Sequence, residues 1–451
     1  MQGDGGSARR VAIVGGGLAG LAAAVAMVER GWQVELFESR RQFGGRVASF
    51  RDPATGELVD YCQHVSLGCC TKLADFCKRT GIAEKFRRDR VLHFFTAEGR
   101  RYDLRAARFL PPPLHLVPAL LRLGYLSWRE RIGLARGLRQ LARSTEDDET
   151  IGSWLRRHGQ SQRAIERFWA VVLNSALGDS IDRASVKYAR KVFVDAFLTS
   201  RDGHEVLVPI EPLSELFGTR VVDWLREHGA SVHSGRGVER VEICDDQVRS
   251  LRLNDGSQIA LDAAIVAVPW RYVLGLFDEG ELAGPLASLR TAEEITGAPI
   301  TGVHLWFDRP ITPLPHAVLV GLQSQWLFNR GDNADCGGHY YQVVISASYE
   351  LASLDRERIV ERIVAELKGV WPSARDAVLL NARVVTDASA VFSPVPGIDR
   401  LRPPQRTTIA NLAIAGDWTS TGWPSTMEGA VRSGYLAAEA ISDSTCSPCG
   451  A

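Results

Sequence analysis

The sequence predicts an α/β fold. A dinucleotide-binding domain of the Rossmann type is assembled from separated segments and interleaved with an α+β domain. Three observations carry this. A strand, glycine turn, helix and strand occupy residues 11–38. A strand ending in Gly416-Asp417 runs into a glycine-spaced helix about 400 residues later. The long stretches between change from helical periodicity to strand-like alternation.

The first element is Val11–Val14, an apolar strand, followed by Gly15-Gly16-Gly17-Leu18-Ala19-Gly20 and a helical run to Gly31. A second strand, Gln33–Phe37, ends at Glu38. Gly15 permits the tight turn, Gly17 lets backbone approach a pyrophosphate, and Gly20 lets the helix pack on the strand. Leu18 and Ala19 open a helix whose free N–H groups and partial positive charge suit phosphate. Glu38 is placed to accept hydrogen bonds from ribose hydroxyls, with Ser39 beside it. Gly44-Gly45-Arg46 follows at once, offering a second close backbone approach and a cation to offset phosphate charge. This Glu-(x)n-Gly-Gly-Arg extension resembles that of FAD-dependent amine oxidases and carotenoid-type desaturases, which makes FAD the expected cofactor.

A second block begins near His204. Pro212–His228 has helical periodicity closed by Gly229, and Ala230–Ser234 reads as a strand. Residues 238–243 and 248–253 suggest a meander with its turn at Asn254-Asp255-Gly256, and Ala263–Val268 a buried parallel strand. In the family resembled, the position of Val238 contacts adenine through its backbone. The third block runs Leu412-Ala413-Ile414-Ala415-Gly416-Asp417-Trp418, then Gly422-Trp423-Pro424-Ser425-Thr426-Met427-Glu428-Gly429-Ala430. It is similar to the C-terminal FAD motif of the same superfamily. Gly416 and Asp417 end a strand where a carboxylate can accept from a ribityl hydroxyl. Met427, Glu428 and Ala430 start a helix whose dipole faces the flavin pyrimidine side. The expected division is a discontinuous Rossmann-like FAD-binding (GR2-type) domain of residues 8–81, 204–291 and 395–445. An α+β substrate domain takes 82–203, rich in helical pattern, and 292–394, strand-like with an amphipathic helix at Asp355–Val370.

Finer resemblances narrow the group. Val59-Asp60-Tyr61-Cys62-Gln63-His64-Val65-Ser66-Leu67-Gly68 resembles the Asp-x-Gly-Gln-His segment of the squalene-associated FAD-dependent desaturases, with Cys62 in place of the usual glycine. Gln325–Arg330 and the Gly416–Glu428 segment are similar to that group as well. The resemblance implies dehydroxylation of hydroxysqualene to squalene by flavin hydride transfer with loss of water, in squalene and hopanoid synthesis. Such a reaction needs an apolar channel, a proton donor near the flavin and exclusion of water. His64 is the preferred acid because imidazole can carry a proton near neutral pH; the competing reading is a structural histidine. Gln63 can contact either flavin or substrate.

Composition agrees with a globular enzyme: 451 residues, with 53 basic and 53 acidic side chains that cancel. That balance argues against nucleic acid as a partner. The eight cysteines lack zinc-ligand spacing, so no metal is expected, and Cys446-x-x-Cys449 reads as tail rather than redox site. The polar Met1–Arg10 stretch shows no signal peptide, and no apolar run is long enough to span a bilayer, so a cytoplasmic protein is expected. Residues 109–126 are apolar, punctuated by prolines and flanked by Arg105, Arg108, Arg122 and Arg129. They could form a peripheral contact on the inner face of the cell membrane, or substrate-domain core. Expected partners are a long isoprenoid lipid substrate and squalene-pathway synthases. A carotenoid or phytoene-type desaturase shares every FAD motif and stays open. An amine oxidase is disfavoured by the lack of lysine between 191 and 368. A non-enzymatic prenyl-lipid carrier is disfavoured by the intact Gly416-Asp417 block. The absence of a second GxGxxG leaves the electron donor unassigned.

Overall fold

A computed structural model describes residues 9–333 and 338–446. Cys449 and the first eight residues of the polar N-terminal stretch lie outside the described residues.

β1 (Arg10–Val14), α1 (Leu18–Glu29) and β2 (Gln33–Glu38) form the opening βαβ unit. They belong to a five-stranded parallel sheet ordered Ser231–Ser234, β2, β1, Ala263–Val266, Leu412–Ile414. The chain leaves β1 towards β2 and later returns on the other side of β1. The crevice therefore opens at the carboxyl end of β1, where the glycine turn stands. Both faces of the sheet are covered, which is why its strands read as unbroken apolar runs. Val11 and Ile13 pack towards α1, whereas Ala12 and Val14 pack in the cluster that holds Val241, Val248 and Leu251 of an antiparallel meander.

α1 is apolar on every side because Leu18–Met27 are all buried between the sheet and the C-terminal helix, Met427–Cys446. The two helices cross in backbone contact. A Cβ on Gly434 would collide with the carbonyl of Ala19 and stand 2.8 Å from the Ala23 nitrogen.

The meander differs from its sequence reading. Strands Val238–Cys244 and Gln247–Leu253 are joined by Asp245-Asp246, both with positive φ (52° and 55°). Such a two-residue turn matches strand twist, and Asp tolerates the left-handed region. Asn254-Asp255-Gly256 instead joins Gln247–Leu253 to a third strand, Gln258–Ala260.

The second large sheet has seven strands ordered Leu379–Phe392, Gly297–Phe307, Gly338–Ser346, Trp326–Asn333, His316–Val320, Val91–Thr96, Arg101–Arg105. All its pairings are antiparallel except Val91–Thr96 with His316–Val320. The last two strands come from the stretch that reads as helical. Val91–Thr96 is fixed by a partner over 200 residues away, which no local pattern reports, and Arg101–Arg105 pairs back on it as the sheet's edge. Alternation divides the sheet's faces. Val303, Leu305, Phe307, Tyr341 and Val343 pack under the helix Arg356–Val370 through Ile359, Ile363 and Leu367. Trp306 and Tyr340 point the other way, against Val59 of the hairpin Ser49–Arg51/Leu58–Asp60. A run of helices fills residues 114–198. Within them the 109–126 stretch splits: Leu116, Ala119, Leu123, Tyr125 and Leu126 are buried, while Phe109, Leu114, Val117 and Leu121 are exposed. Among the described residues no helix is long and apolar enough to cross a membrane.

Candidate active site

The glycine turn is built as its residue types require. Gly15 has φ +106°, and a Cβ there would stand 2.6 Å from the Ala267 carbonyl oxygen. Gly17 has extended backbone and caps α1 with no side chain on the first N–H groups. A Cβ on Gly17 would find nothing nearer than the Gly45 Cα at 4.0 Å, so the helix N-terminus faces open space. Gly44 and Gly45 lie directly on this turn: the Gly44 N–H donates to the Gly16 carbonyl at 2.8 Å. The Glu38 carboxylate is buried and fixed by the N–H groups of Gly16 and Arg40, each at 2.8 Å, and by Ser39 Oγ at 3.2 Å. Val238 follows close by, because the Arg236 N–H donates to the Glu38 carbonyl at 3.0 Å.

The third segment meets the first here. Arg46 ion-pairs with Asp417, and its other nitrogen donates to the Ala390 carbonyl at 2.7 Å. Asp417 is also the acceptor for Ser425 Oγ. Gly416 (φ +148°) donates its N–H to Ser433 Oγ on the C-terminal helix at 2.8 Å. Met427 and Ala430 sit in the first turn of that helix. Glu428 does not offer its carboxylate to this space. It accepts from the Lys72 and Leu73 N–H groups at 3.2 and 2.8 Å, capping α2 (Thr71–Arg79), and from Arg432 at 2.6 Å. What it has left for a ligand is backbone.

A polar cluster stands between the two sheets. Arg330 donates to Gln63 Oε1 at 2.7 Å and approaches Asp60 Oδ2 at 3.7 Å. Asp60 is held by Ser49 Oγ and the Leu213 N–H at 2.7 and 2.8 Å. Gln63 passes its amide N–H to the His64 carbonyl at 3.0 Å. His64 Nδ1 lies 2.9 Å from the Cys62 carbonyl, which can only accept. Nδ1 therefore carries the proton and Nε2 presents a lone pair. Burial pulls the His64 pKa below its ordinary value, so the neutral ring is favoured. The neighbouring Cys62 thiol is pushed up to about 12 by burial and is inert as a nucleophile. Facing them is an aromatic wall: Trp306 stacks on Tyr340 at 4.8 Å, and the Tyr340 hydroxyl meets His304 Nδ1 at 2.8 Å. Phe50 lies between His304, edge-on at 6.0 Å, and Tyr61 at 4.9 Å.

The chain matches the model of the flavin containing amine oxidoreductase family over residues 18–442. It belongs to that family. It is similar to the 15-cis-phytoene desaturase of Solanum lycopersicum, 26% identical over 96% of this chain and 77% of the relative. It is equally similar to a probable zeta-carotene desaturase of Synechococcus elongatus, 26% identical over 96% and 98% of the two chains. Solved structures with the same fold include an oxidoreductase from Methanosarcina mazei (TM-score 0.73, 16% identity, 96% and 100% covered). Cyclohexylamine oxidase from Brevibacterium oxydans is another (TM-score 0.69, 19% identity, 97% and 99% covered).

The protein is thus a flavin-dependent oxidoreductase and its cofactor is FAD. Its residues fit that group: a glycine-lined helix N-terminus open to a pyrophosphate, a fixed carboxylate at the ribose end, and a second helix N-terminus at Met427. Gly15, Gly17, Leu18, Ala19, Gly20, Glu38, Ser39, Gly44, Gly45 and Arg46 converge on one crevice with Val238 at its edge. Gly416, Asp417 and Met427 are joined to it through the Arg46 ion pair. Sequence reasoning missed Arg330, His304 and Tyr340 as parts of the site. Arg330 ends a segment already conspicuous by resemblance, and His304 is the one titratable side chain in an apolar strand; each was a usable signal.

Proposed function

We propose that this flavoenzyme dehydrogenates a long linear isoprenoid, introducing a carbon–carbon double bond as phytoene and zeta-carotene desaturases are named for doing. The observation that carries the reading is the neutral His64 with its free Nε2. Desaturation removes a hydride from one carbon and a proton from its neighbour, and the second step needs a base. When bound, FAD supplies the hydride acceptor. His64 Nε2 takes the proton, with Nδ1 anchored on the Cys62 carbonyl so that the lone pair keeps its direction. Gln63, held by Arg330 and the His64 carbonyl, fixes the loop that carries the base. The stacked Trp306 and Tyr340, buried against Val59, back the Asp60–His64 segment and keep water from behind it.

A second reading, hydroxysqualene dehydroxylation, is favoured by the Asp60–His64 and Gln325–Arg330 segments. It runs hydride transfer the other way and needs an acid to assist the departing hydroxyl. In the resting site His64 is poor in that role, because burial keeps the ring neutral against the opposing pull of the Cys62 bond, and that bond places the one proton on Nδ1. Anaerobic product analysis separates the two. Oxidised enzyme with phytoene should yield a chain with one more double bond, whereas reduced enzyme with hydroxysqualene should yield little squalene. Squalene formed at the faster rate would reverse the assignment.

A further inference from the structure

We infer that the face formed by the Phe109–Pro113 loop, α3 (Val117–Leu121) and the first turns of α4 (Trp128–Arg143) docks on an anionic phospholipid bilayer. This inference goes beyond the reading above and does not depend on which isoprenoid is the substrate.

The face combines two features that are rarely exposed together. Six large apolar side chains point outward: Phe109, Leu114, Val117, Leu121, Trp128 and Ile132, with Phe109 95% and Trp128 64% exposed. An apolar groove runs behind them, lined by Leu120, Leu123, Leu126 and Leu134. Between residues 105 and 143 the sequence places eight arginines and a single acidic residue, Glu130. Glu130 is consumed in capping, accepting from the Ser127 N–H at 2.7 Å and from Ser161 Oγ at 3.0 Å. The chain as a whole has no net charge, so this positive field is local. Apolar side chains ringed by arginines match a bilayer interface: rings and leucines enter the acyl boundary while guanidinium groups reach lipid phosphates.

The face is also braced. Arg131 donates to the carbonyls of Leu121 and Leu126, tying α3 to α4, and stacks over Trp128 at 4.6 Å. It connects to the site by one layer of chain. Arg201 donates to the Leu110 carbonyl at 3.3 Å. Its neighbour Asp202 lies against Gly68, whose N–H donates to the Glu205 carbonyl at 2.9 Å. Gly68 follows the strand that leaves Gln63 and His64.

The test is co-sedimentation of the FAD-loaded full chain with vesicles of phosphatidylcholine, alone or mixed in equal parts with phosphatidylglycerol. The mixed vesicles should bind about tenfold more tightly or better, and salt should weaken that preference. Phe109→Ser/Leu114→Ser/Trp128→Ser should lower binding to both vesicles by about tenfold or more. Arg108→Gln/Arg122→Gln/Arg129→Gln should abolish the preference for phosphatidylglycerol. All six side chains are exposed, so flavin content and thermal midpoint should stay unchanged. Should the triple serine variant fail to fold, Phe109→Ser alone must still weaken binding. No binding by the wild type, or binding indifferent to these changes, overturns the inference. A concentration-dependent dimer that the serine variant dissociates also overturns it and makes a second copy the occupant.

Discussion

His64 is where direction of chemistry is decided at the scale of one residue. Its folded pKa lies below the ordinary histidine value of about 6.5. As pH falls, the neutral ring therefore persists past that value and is lost only when the folded pKa is crossed. A base role makes the desaturation rate flat through neutrality and falling on the acid side, whereas an acid role makes it rise as pH drops. His64→Gln should slow single-turnover formation of the new double bond by about 10²-fold while FAD stays bound. Arg330 acts through Gln63, so Arg330→Gln should lower kcat with little change in flavin content, and Arg330→Lys should restore part of it. His304 gives a stability signature of its own. Burial holds its pKa at about 4, so below about pH 6.5 the unfolded chain takes up a proton that the folded chain refuses. Stability should fall between pH 6.5 and 4 by up to about 3 kcal/mol on this account. In urea titrations, His304→Gln should reduce that acid loss; an identical loss in the variant would show that other groups cause it.

At the scale of elements, the glycine turn and the helix crossing make opposite demands on their glycines. Gly17 has backbone that any residue can adopt and open space beyond its Cα. Gly17→Val should therefore fold, with an apoprotein thermal midpoint close to wild type, yet retain no FAD after desalting. Stoichiometric flavin in that variant would contradict the cradle. Gly434 has no such space, since a methyl group would press on the α1 backbone at Ala19 and Ala23. Gly434→Ala should cost about 1–3 kcal/mol of stability, read from denaturant midpoints. The sequence made the Rossmann elements legible because glycine spacing, helix caps and unbroken apolar strands are local signals. It misplaced the Asp245-Asp246 turn because Asn-Asp-Gly nearby is the stronger turn signal. It missed Val91–Thr96 because that strand is placed by a partner more than 200 residues away, and with it Arg101–Arg105, a short charged edge strand that pairs only with Val91–Thr96.

At the scale of the molecule, the fold class and FAD were legible from two motifs at opposite ends of the chain, which close one crevice through Arg46 and Asp417. The wall opposite was not, since His304 meets Tyr340 only across paired strands of the second sheet, and Arg330 meets Gln63 only when that sheet packs on the Asp60–His64 segment. The same assembly makes Glu428 a structural residue, capping α2 across the cofactor helix. The central claim is that this flavoenzyme draws hydride from a long isoprenoid. The direct measurement is anaerobic stopped-flow absorbance of the FAD-loaded protein at about 450 nm. Mixing with phytoene should bleach the flavin band in a single turnover, with a matching gain of one double bond in the extracted lipid. A band unchanged by phytoene and bleached by cyclohexylamine would contradict the claim.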